Sequence, residues 1–212
     1  MRARRPGCCE EVVASNSARS WSRPAEILRK SKVTALLDGI GRTRVLELGA
    51  GCLRNSLFLL KQGMKVDVFD PFATAVHFAQ QYRSFLRQGG SVLTRRPARS
   101  AYHAVVSTYV LETICSPDDR SEFVELVRES LHPHGSWLLS VRGLANIVLG
   151  RQGTRRCSDG YITSQRTFVR PFSRAQLTAL LTEHGFRSLT FLHKAWSTKP
   201  ELLHVIARRE PS

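Results

Sequence analysis

The stretch from Arg44 to Phe72 constrains the fold of this chain more than any other. A short apolar run, Val45 to Leu48, is followed by the turn Gly49-Ala50-Gly51, an amphipathic segment from Asn55 to Lys61, and a second apolar run, Val66 to Phe69. This order predicts a buried strand, a tight turn, a helix and a second strand, which is the building unit of a doubly wound α/β sheet.

Two features of this unit suit a nucleoside ligand. Gly49 and Gly51 let the backbone come close to a bound molecule. Asp70 ends the second strand, where a carboxylate can bind the hydroxyls of a ribose. The turn is not the dinucleotide fingerprint, because Arg54 stands where G-x-G-x-x-G requires its third glycine.

The pattern E-x-G-x-G, formed by Glu47, Gly49 and Gly51, with Asp70 after the second strand, resembles motif I and the following acid of class I S-adenosylmethionine (SAM)-dependent methyltransferases. The resemblance runs from about residue 44 to residue 208. It implies an α/β fold: a Rossmann-like, seven-stranded, mostly parallel sheet with an antiparallel C-terminal strand pair and helices on both faces. The alternative is a tight strand-to-helix turn in some other α/β protein.

The resemblance also implies SAM as cofactor and a site for it. Glu47 would support the amino-acid end of SAM, Asn55 could hydrogen-bond its methionine moiety, and Asp70 would bind its ribose. Leu53 stands where many relatives have a third glycine. The full set of predicted cofactor-binding residues is Glu47, Gly49, Ala50, Gly51, Asn55, Asp70, Pro71, Ser107 and Thr108.

Ser107 and Thr108 end the fourth predicted strand, and Tyr109 follows it. The end of this strand faces the transferred methyl group in class I methyltransferases, so the resemblance makes these three residues candidates for the floor of the methyl-transfer site. The donor is an activated sulfonium, so alignment and exclusion of water matter most and a dedicated base is optional. The candidates for acid–base help are Tyr109, Glu112, Arg142 and Tyr161, each equally compatible with a structural role. No metal site is predicted, since the histidines flanking Pro133 have no evident third ligand.

Other features narrow the reaction. Many class I methyltransferases place an acid after the third strand, where it accepts a hydrogen bond from the adenine amino group. No Asp or Glu lies between Pro71 and Leu111 of this chain, so this contact would come from a backbone carbonyl or a neutral side chain, or the adenine would sit differently. The fourth strand ends in Ser107-Thr108-Tyr109-Val110 rather than the Asn/Asp-Pro-Pro-aromatic motif of enzymes that methylate base amino groups. No Pro-Cys pair is present, which disfavours the covalent cytosine-C5 mechanism.

The rest of the chain fits one domain. Residues 1–20 are predicted to be a disordered basic tail, residues 21–212 one methyltransferase domain, and residues 142–172 a substrate lid. The phrase Asp159 to Ser164 is faintly similar to a methyltransferase group found beside DNA phosphorothioation systems. Further expected elements are helices over 23–37, 74–87, 117–131 and from 174, and strands over 91–94, 102–108, 137–141, 186–193 and 202–208.

Charge and composition bear on partners and location. The net charge of +15 favours polyanionic partners, while an arginine-rich composition with solvated faces explains it equally well. No apolar run reaches the ~20 residues needed to span a bilayer, and no signal-peptide core is present, so a cytoplasmic protein without a membrane partner is expected. The five cysteines have no C-x-x-C spacing, so neither a zinc site nor a disulfide framework is expected.

Three functions remain open. The leading one is a SAM-dependent methyltransferase acting on a small molecule or a short peptide. The second is an RNA or DNA methyltransferase that uses the basic surface, and the third is a SAM-binding subunit without catalysis.

Overall fold

The computed structural model describes residues 24–29, 33, 44–70, 79–144, 154–164, 166–192 and 202–210. The strands are β1 (Arg44–Leu48), β2 (Lys65–Phe69), β3 (Ser91–Val92), β4 (Tyr102–Thr108), β5 (Leu131–Arg142), β6 (Arg155–Cys157), β7 (Gly160–Ile162), β8 (Phe168–Val169), β9 (Phe186–Phe191) and β10 (Leu202–Arg209). The helices are α1 (Arg54–Lys61), α2 (Ala79–Arg87), α3 (Pro117–Ser130) and α4 (Arg174–Glu183).

Seven strands form the main sheet in the order β3-β2-β1-β4-β5-β10-β9. The first five are parallel, whereas β10 pairs antiparallel with both β5 and β9. This confirms the predicted sheet with its antiparallel C-terminal pair. The strand order reverses between β1 and β4, and ligands of open α/β sheets bind at such a point, beyond the carboxyl ends of the strands.

The central strands are buried on both faces. In β1, Val45 belongs to one apolar cluster, while Leu46 and Leu48 belong to a second cluster on the other face. In β4, Ala104 and Val105 divide in the same way. Two-sided burial explains why these strands are continuous apolar runs and not alternating patterns.

The helix starts that the sequence predicts are present. Ser116 caps α3 through a hydrogen bond from the Asp119 backbone N–H, with Pro117 in the first position. Ser173 and Gln176 form the predicted capping box at the start of α4. Both caps are local, because each consists of a side-chain oxygen that accepts a hydrogen bond from a backbone N–H three residues away. Their formation does not require contacts with the rest of the fold.

Some elements differ from the prediction. Within the expected helix over 23–37, Glu26–Arg29 forms a 3-10 helix. Strand β5 begins at Leu131, directly after α3, rather than at Trp137, because Tyr102 pairs with Leu131 and the register then shifts. Residues 74–78 of the second expected helix, and all of residues 1–20, 34–40 and 145–153, lie outside the described residues.

The lid region contains regular structure that the sequence did not indicate. Strands β6, β7 and β8 form a three-stranded antiparallel sheet, hereafter the small sheet. On α3, the buried guanidinium of Arg120 pairs with Asp159, which also accepts a hydrogen bond from Arg170.

The expectation for cysteine was wrong for Cys115 and Cys157, which are disulfide-bonded, because sequence spacing does not show which cysteines the fold brings near others.

Among the helices of the described ranges, none has the length and apolar character needed to cross a membrane.

Candidate functional site

The turn after β1 is tightly folded. Gly49 and Gly51 have φ values of 70° and 51°, in the left-handed region that glycine tolerates. Leu53 also has a positive φ, 63°, and its N–H donates to the carbonyl of Ala50 at 2.9 Å. The Gly49 N–H donates to the carbonyl of Phe69 at 3.1 Å. This bond places the turn beside the end of β2. Half-buried Asp70, the residue directly after β2, therefore lies next to the turn.

Gly49 is required by packing as well as by its backbone angle. A Cβ atom at this position would lie 2.5 Å from Cγ2 of Val110, closer than real carbon atoms approach. Val110 follows β4, so this contact holds the segment after β4 against the turn after β1. The ends of β1, β2 and β4 therefore meet at one place, where the strand order reverses.

Asn55, at the start of α1, links three parts of this site. Its Nδ2 donates to Oε1 of Glu47 at 2.9 Å and to Oγ1 of Thr108 at 3.1 Å. Its Oδ1 accepts a hydrogen bond from the backbone N–H of Ala25 at 2.7 Å. The side chain thereby joins β1, the end of β4 and the segment that precedes β1.

Glu47 is buried under α1 with both carboxyl oxygens paired. Oε1 accepts from Asn55, and Oε2 accepts from the hydroxyl of Ser56. Burial raises the pKa of Glu47 to about 7, although the hydrogen bonds from Ser56 and Asn55 and the charge of Arg54 act in the opposite direction. The carboxyl group faces the interior, so its expected support of the cofactor stays a prediction and would operate through Asn55 and Thr108.

The two predicted site residues at the end of β4, Ser107 and Thr108, form hydrogen bonds with different parts of the protein. The buried hydroxyl of Ser107 accepts a hydrogen bond from Nε1 of Trp137 at 2.9 Å, which directs it toward β5. The Thr108 hydroxyl, in contrast, bonds with Asn55 beside the turn. Thr108 is thus the member of the pair that belongs to the polar network behind the turn.

Tyr109 follows in a strained conformation. Its φ of 62° lies in the left-handed region, which costs a non-glycine residue on the order of 1–3 kcal/mol. Its N–H donates to the carbonyl of Ser140 at 2.8 Å, and the guanidinium of Arg142 lies 5.9 Å from the centre of its ring. Strain of this kind persists only where neighbours hold it, and it is often found at functional sites.

Glu112 lies in a 3-10 turn just beyond Tyr109 and is fully buried. Within the described part of the chain, neither carboxyl oxygen has a hydrogen-bond partner. Burial raises its pKa to about 7, and the charge of Arg142, with the nearby backbone N–H groups of Glu112 and Arg142, acts in the opposite direction. Tyr109, Glu112 and Arg142, three of the four predicted catalytic residues, therefore lie together at the ends of β4 and β5.

The fourth, Tyr161, lies on β7 of the small sheet, opposite Arg156 and Val169. This sheet connects to the site through the backbone: the Arg170 N–H donates to the carbonyl of Glu112 at 2.7 Å, and the Phe172 N–H to that of Arg142 at 3.0 Å. The predicted cofactor residue Pro71 lies outside the described residues.

Sequence reasoning assigned no role to Ser56, Val110 or Arg120, which fix the site. Ser56 was detectable, because a serine beside Asn55 on an otherwise apolar helix face indicates a buried polar partner. The roles of Val110 and Arg120 depend on contacts between distant segments, which no local pattern shows.

No family model and no curated protein matches this sequence. Solved structures are similar in fold. One is the 1,6-didemethyltoxoflavin-N1-methyltransferase of Burkholderia thailandensis with its bound 1,6-didemethyltoxoflavin and S-adenosylhomocysteine: TM-score 0.60, 20% identity, 90% of this chain and 81% of that chain covered.

A SAM-dependent methyltransferase of Methanosarcina mazei has a TM-score of 0.61 at 17% identity, over 80% of this chain and 93% of that one. Another, from Mesorhizobium loti, has a TM-score of 0.60 at 14% identity, over 86% and 100%. The chain therefore has the fold of SAM-dependent methyltransferases, and the predicted resemblance is confirmed at the level of fold.

Proposed function

We propose that this chain is a SAM-dependent methyltransferase. The observation that carries the proposal is the meeting of three strand ends at the reversal point of the sheet: the Gly49–Gly51 turn after β1, Asp70 after β2, and Thr108 at the end of β4. A glycine turn beside a carboxylate suits a nucleoside with free ribose hydroxyls.

In this proposal Asp70 binds the ribose, and the backbone of Gly49, Ala50 and Gly51 lies along the donor. Pro71 would flank the ribose contact, as the resemblance implies. The fold similarity to an enzyme whose structure contains S-adenosylhomocysteine supports this cofactor.

The bound donor supplies an activated methyl group on a sulfonium. The residues of this chain would align an acceptor with that methyl group and exclude water. Tyr109, Glu112 and Arg142 are proposed to line the acceptor side, because they lie together just beyond the end of β4. Tyr161 is proposed to contribute from the small sheet, which the backbone joins to Glu112 and Arg142.

We propose a small molecule or a short peptide as the acceptor, in a cytoplasmic protein. The sequence has no base-methylation motif after β4, and the similar Burkholderia structure is that of an enzyme acting on 1,6-didemethyltoxoflavin.

A nucleic acid is the second candidate, because Arg156 is exposed on β6, Arg166 is exposed between β7 and β8, and the net charge is +15. Salt dependence separates this candidate from the small-molecule or peptide acceptor, because the logarithm of duplex DNA affinity falls with the logarithm of salt concentration by about 0.9 per phosphate contact. An affinity for duplex DNA that does not change between low and physiological salt would exclude the nucleic-acid candidate.

The first test is calorimetric titration of S-adenosylhomocysteine into the wild type and Asp70→Ala. Loss of hydrogen bonds to a charged group costs ~1.5–3 kcal/mol, so we expect affinity to fall by about 10- to 150-fold. Equal affinity for both proteins, or no binding by the wild type, would refute the proposal. Transfer of label from methyl-labelled SAM to a lysate component would then exclude a SAM-binding subunit without catalysis.

A further inference from the structure

Both N–H bonds of the Asn55 amide are used inside the protein. An amide NH2 has two N–H bonds, and here they donate to Glu47 and Thr108. The carbonyl oxygen accepts from the backbone of Ala25, and the side chain is 2% exposed. Asn55 therefore has no N–H left for a ligand in this arrangement, and the hydrogen bond to a methionine moiety that the resemblance implied stays a prediction.

The segment held by this amide also shares a core with the turn after β1. Ala25, Ile27 and Leu28 are buried in the same apolar cluster as Ala50 and Leu53. Residues 24–29 are thus joined to the start of α1 by a buried hydrogen bond, and they share an apolar cluster with the turn. A change in the position of Asn55 would therefore alter both the turn and this segment.

We propose that Asn55 is a positioning residue that couples the docking of residues 24–29 to donor binding. This inference rests on the proposed function, because it takes the turn after β1 as the donor site. Asn55 holds Thr108 and Glu47 on one side and Ala25 on the other, so one conformation of its amide serves all three. By linkage, a donor that stabilises the turn also stabilises the docked segment, and the docked segment strengthens donor binding by the same factor.

Breaking the amide contacts should affect both sides at once. Without Asn55, Glu47 loses a hydrogen bond in a site that is only 1% exposed, and the N–H of Ala25 loses its acceptor. Loss of a hydrogen-bond partner destabilises the protein far more at a buried polar group than at a solvated one, because water does not replace the lost partner. The turn and residues 24–29 would then no longer be ordered together.

The test combines titration of S-adenosylhomocysteine with hydrogen exchange. In the wild type, the ligand should slow amide exchange in residues 24–29 as well as in the turn. In Asn55→Ala we expect affinity to fall about tenfold, the effect of one to two lost buried hydrogen bonds, and the ligand-dependent protection of residues 24–29 to disappear.

Asn55→Asp introduces a side chain of nearly the same shape as asparagine, and it is the second variant to measure if Asn55→Ala fails to fold. Its carboxylate keeps an oxygen for the Ala25 N–H but has no N–H for Glu47 or Thr108. We expect weaker ligand binding with protection of residues 24–29 partly retained.

Ser173→Ala is the matched control, because it removes a helix cap on α4 away from the turn. It should lower the melting temperature and leave the affinity unchanged, which is the result that a merely structural role of Asn55 would give. If both Asn55 variants bind the ligand as tightly as the wild type, with equal protection of residues 24–29, the inference is wrong. If the wild type does not bind, the proposed function fails, and this inference fails with it.

Discussion

Two buried glutamates at the carboxyl edge of the sheet are held in opposite ways. Glu47, behind the donor turn, accepts hydrogen bonds from Asn55 and Ser56. Glu112, on the proposed acceptor side, has no such partner among the residues the structure describes. Burial raises both pKa values to about 7. The proposed donor side is thus fixed by a hydrogen-bonded network, whereas the proposed acceptor side contains a buried carboxyl group without a hydrogen-bond partner in the described part of the chain.

This difference fits the division of labour in the proposed reaction. A donor common to many enzymes can be held by a rigid, fully paired site. An acceptor must be recognised by groups that remain free to pair with it, at some cost in stability. Four predictions test the comparison.

The largest effect is expected for Glu47→Ala. It removes the acceptor of the Ser56 hydroxyl and one of the two acceptors of the Asn55 amide in the buried network. Breaking a buried paired network should lower the free energy of unfolding by about 4 kcal/mol in urea denaturation at pH 7. Glu112→Ala should lower it less, because the Glu112 carboxyl oxygens have no hydrogen-bond partner among the residues that the structure describes. An equal loss in the two variants would remove the basis for the comparison.

Gly49→Ala should have the next largest effect. The new Cβ atom would lie 2.5 Å from the side chain of Val110, at a backbone φ of 70°. Overpacking and a left-handed alanine together should cost ~3 kcal/mol. Gly63→Ala is the matched control, since Gly63 has a similar φ of 80° but open space where its Cβ would lie. A loss no larger than that of the control would contradict the packing role.

Glu112→Gln tests the uncompensated carboxyl group through pH. The folded-state pKa is raised from 4.5 to about 7, so the protonated form stabilises the fold below pH 4.5, and this stability is lost as pH rises through 7. Glutamine does not titrate. The variant should therefore gain stability relative to the wild type as pH rises from 5 to 8, by about 2 kcal/mol, in melting curves at both pH values. A stability difference between the variant and the wild type that does not change with pH would show that the pKa of Glu112 is not raised in the folded protein.

Asp159→Asn should have the smallest effect. It removes the charge that pairs with Arg120 and Arg170, but Asp159 is about a third exposed, so solvent screens the pair. We expect a loss of ~1–2 kcal/mol and faster proteolysis in the small sheet than in the main sheet. Faster proteolysis spread evenly over both sheets would argue against Asp159 acting on the small sheet alone.

The sequence predicted the parts of the fold that have local signals. The glycine turn, strand Tyr102–Thr108, the Ser116 cap and the Ser173 capping box all lie where the residue patterns indicate. Each depends on a few neighbouring residues whose backbone preferences agree with the final fold.

The sequence did not predict features made by distant segments. The contact of Gly49 with Val110 and the pairing of Arg120 with Asp159 join residues far apart in the chain. The small sheet has strands of only two or three residues, too short for a periodic pattern to appear.

Leu53 shows one consequence of how the turn is built. Its side chain is fully buried although its backbone is left-handed, so this side chain anchors the turn in the core. Moving this turn outward would expose a leucine to water, at a cost of ~1.5–3 kcal/mol. The anchored turn is therefore expected to keep its place when a ligand enters or leaves the proposed donor site.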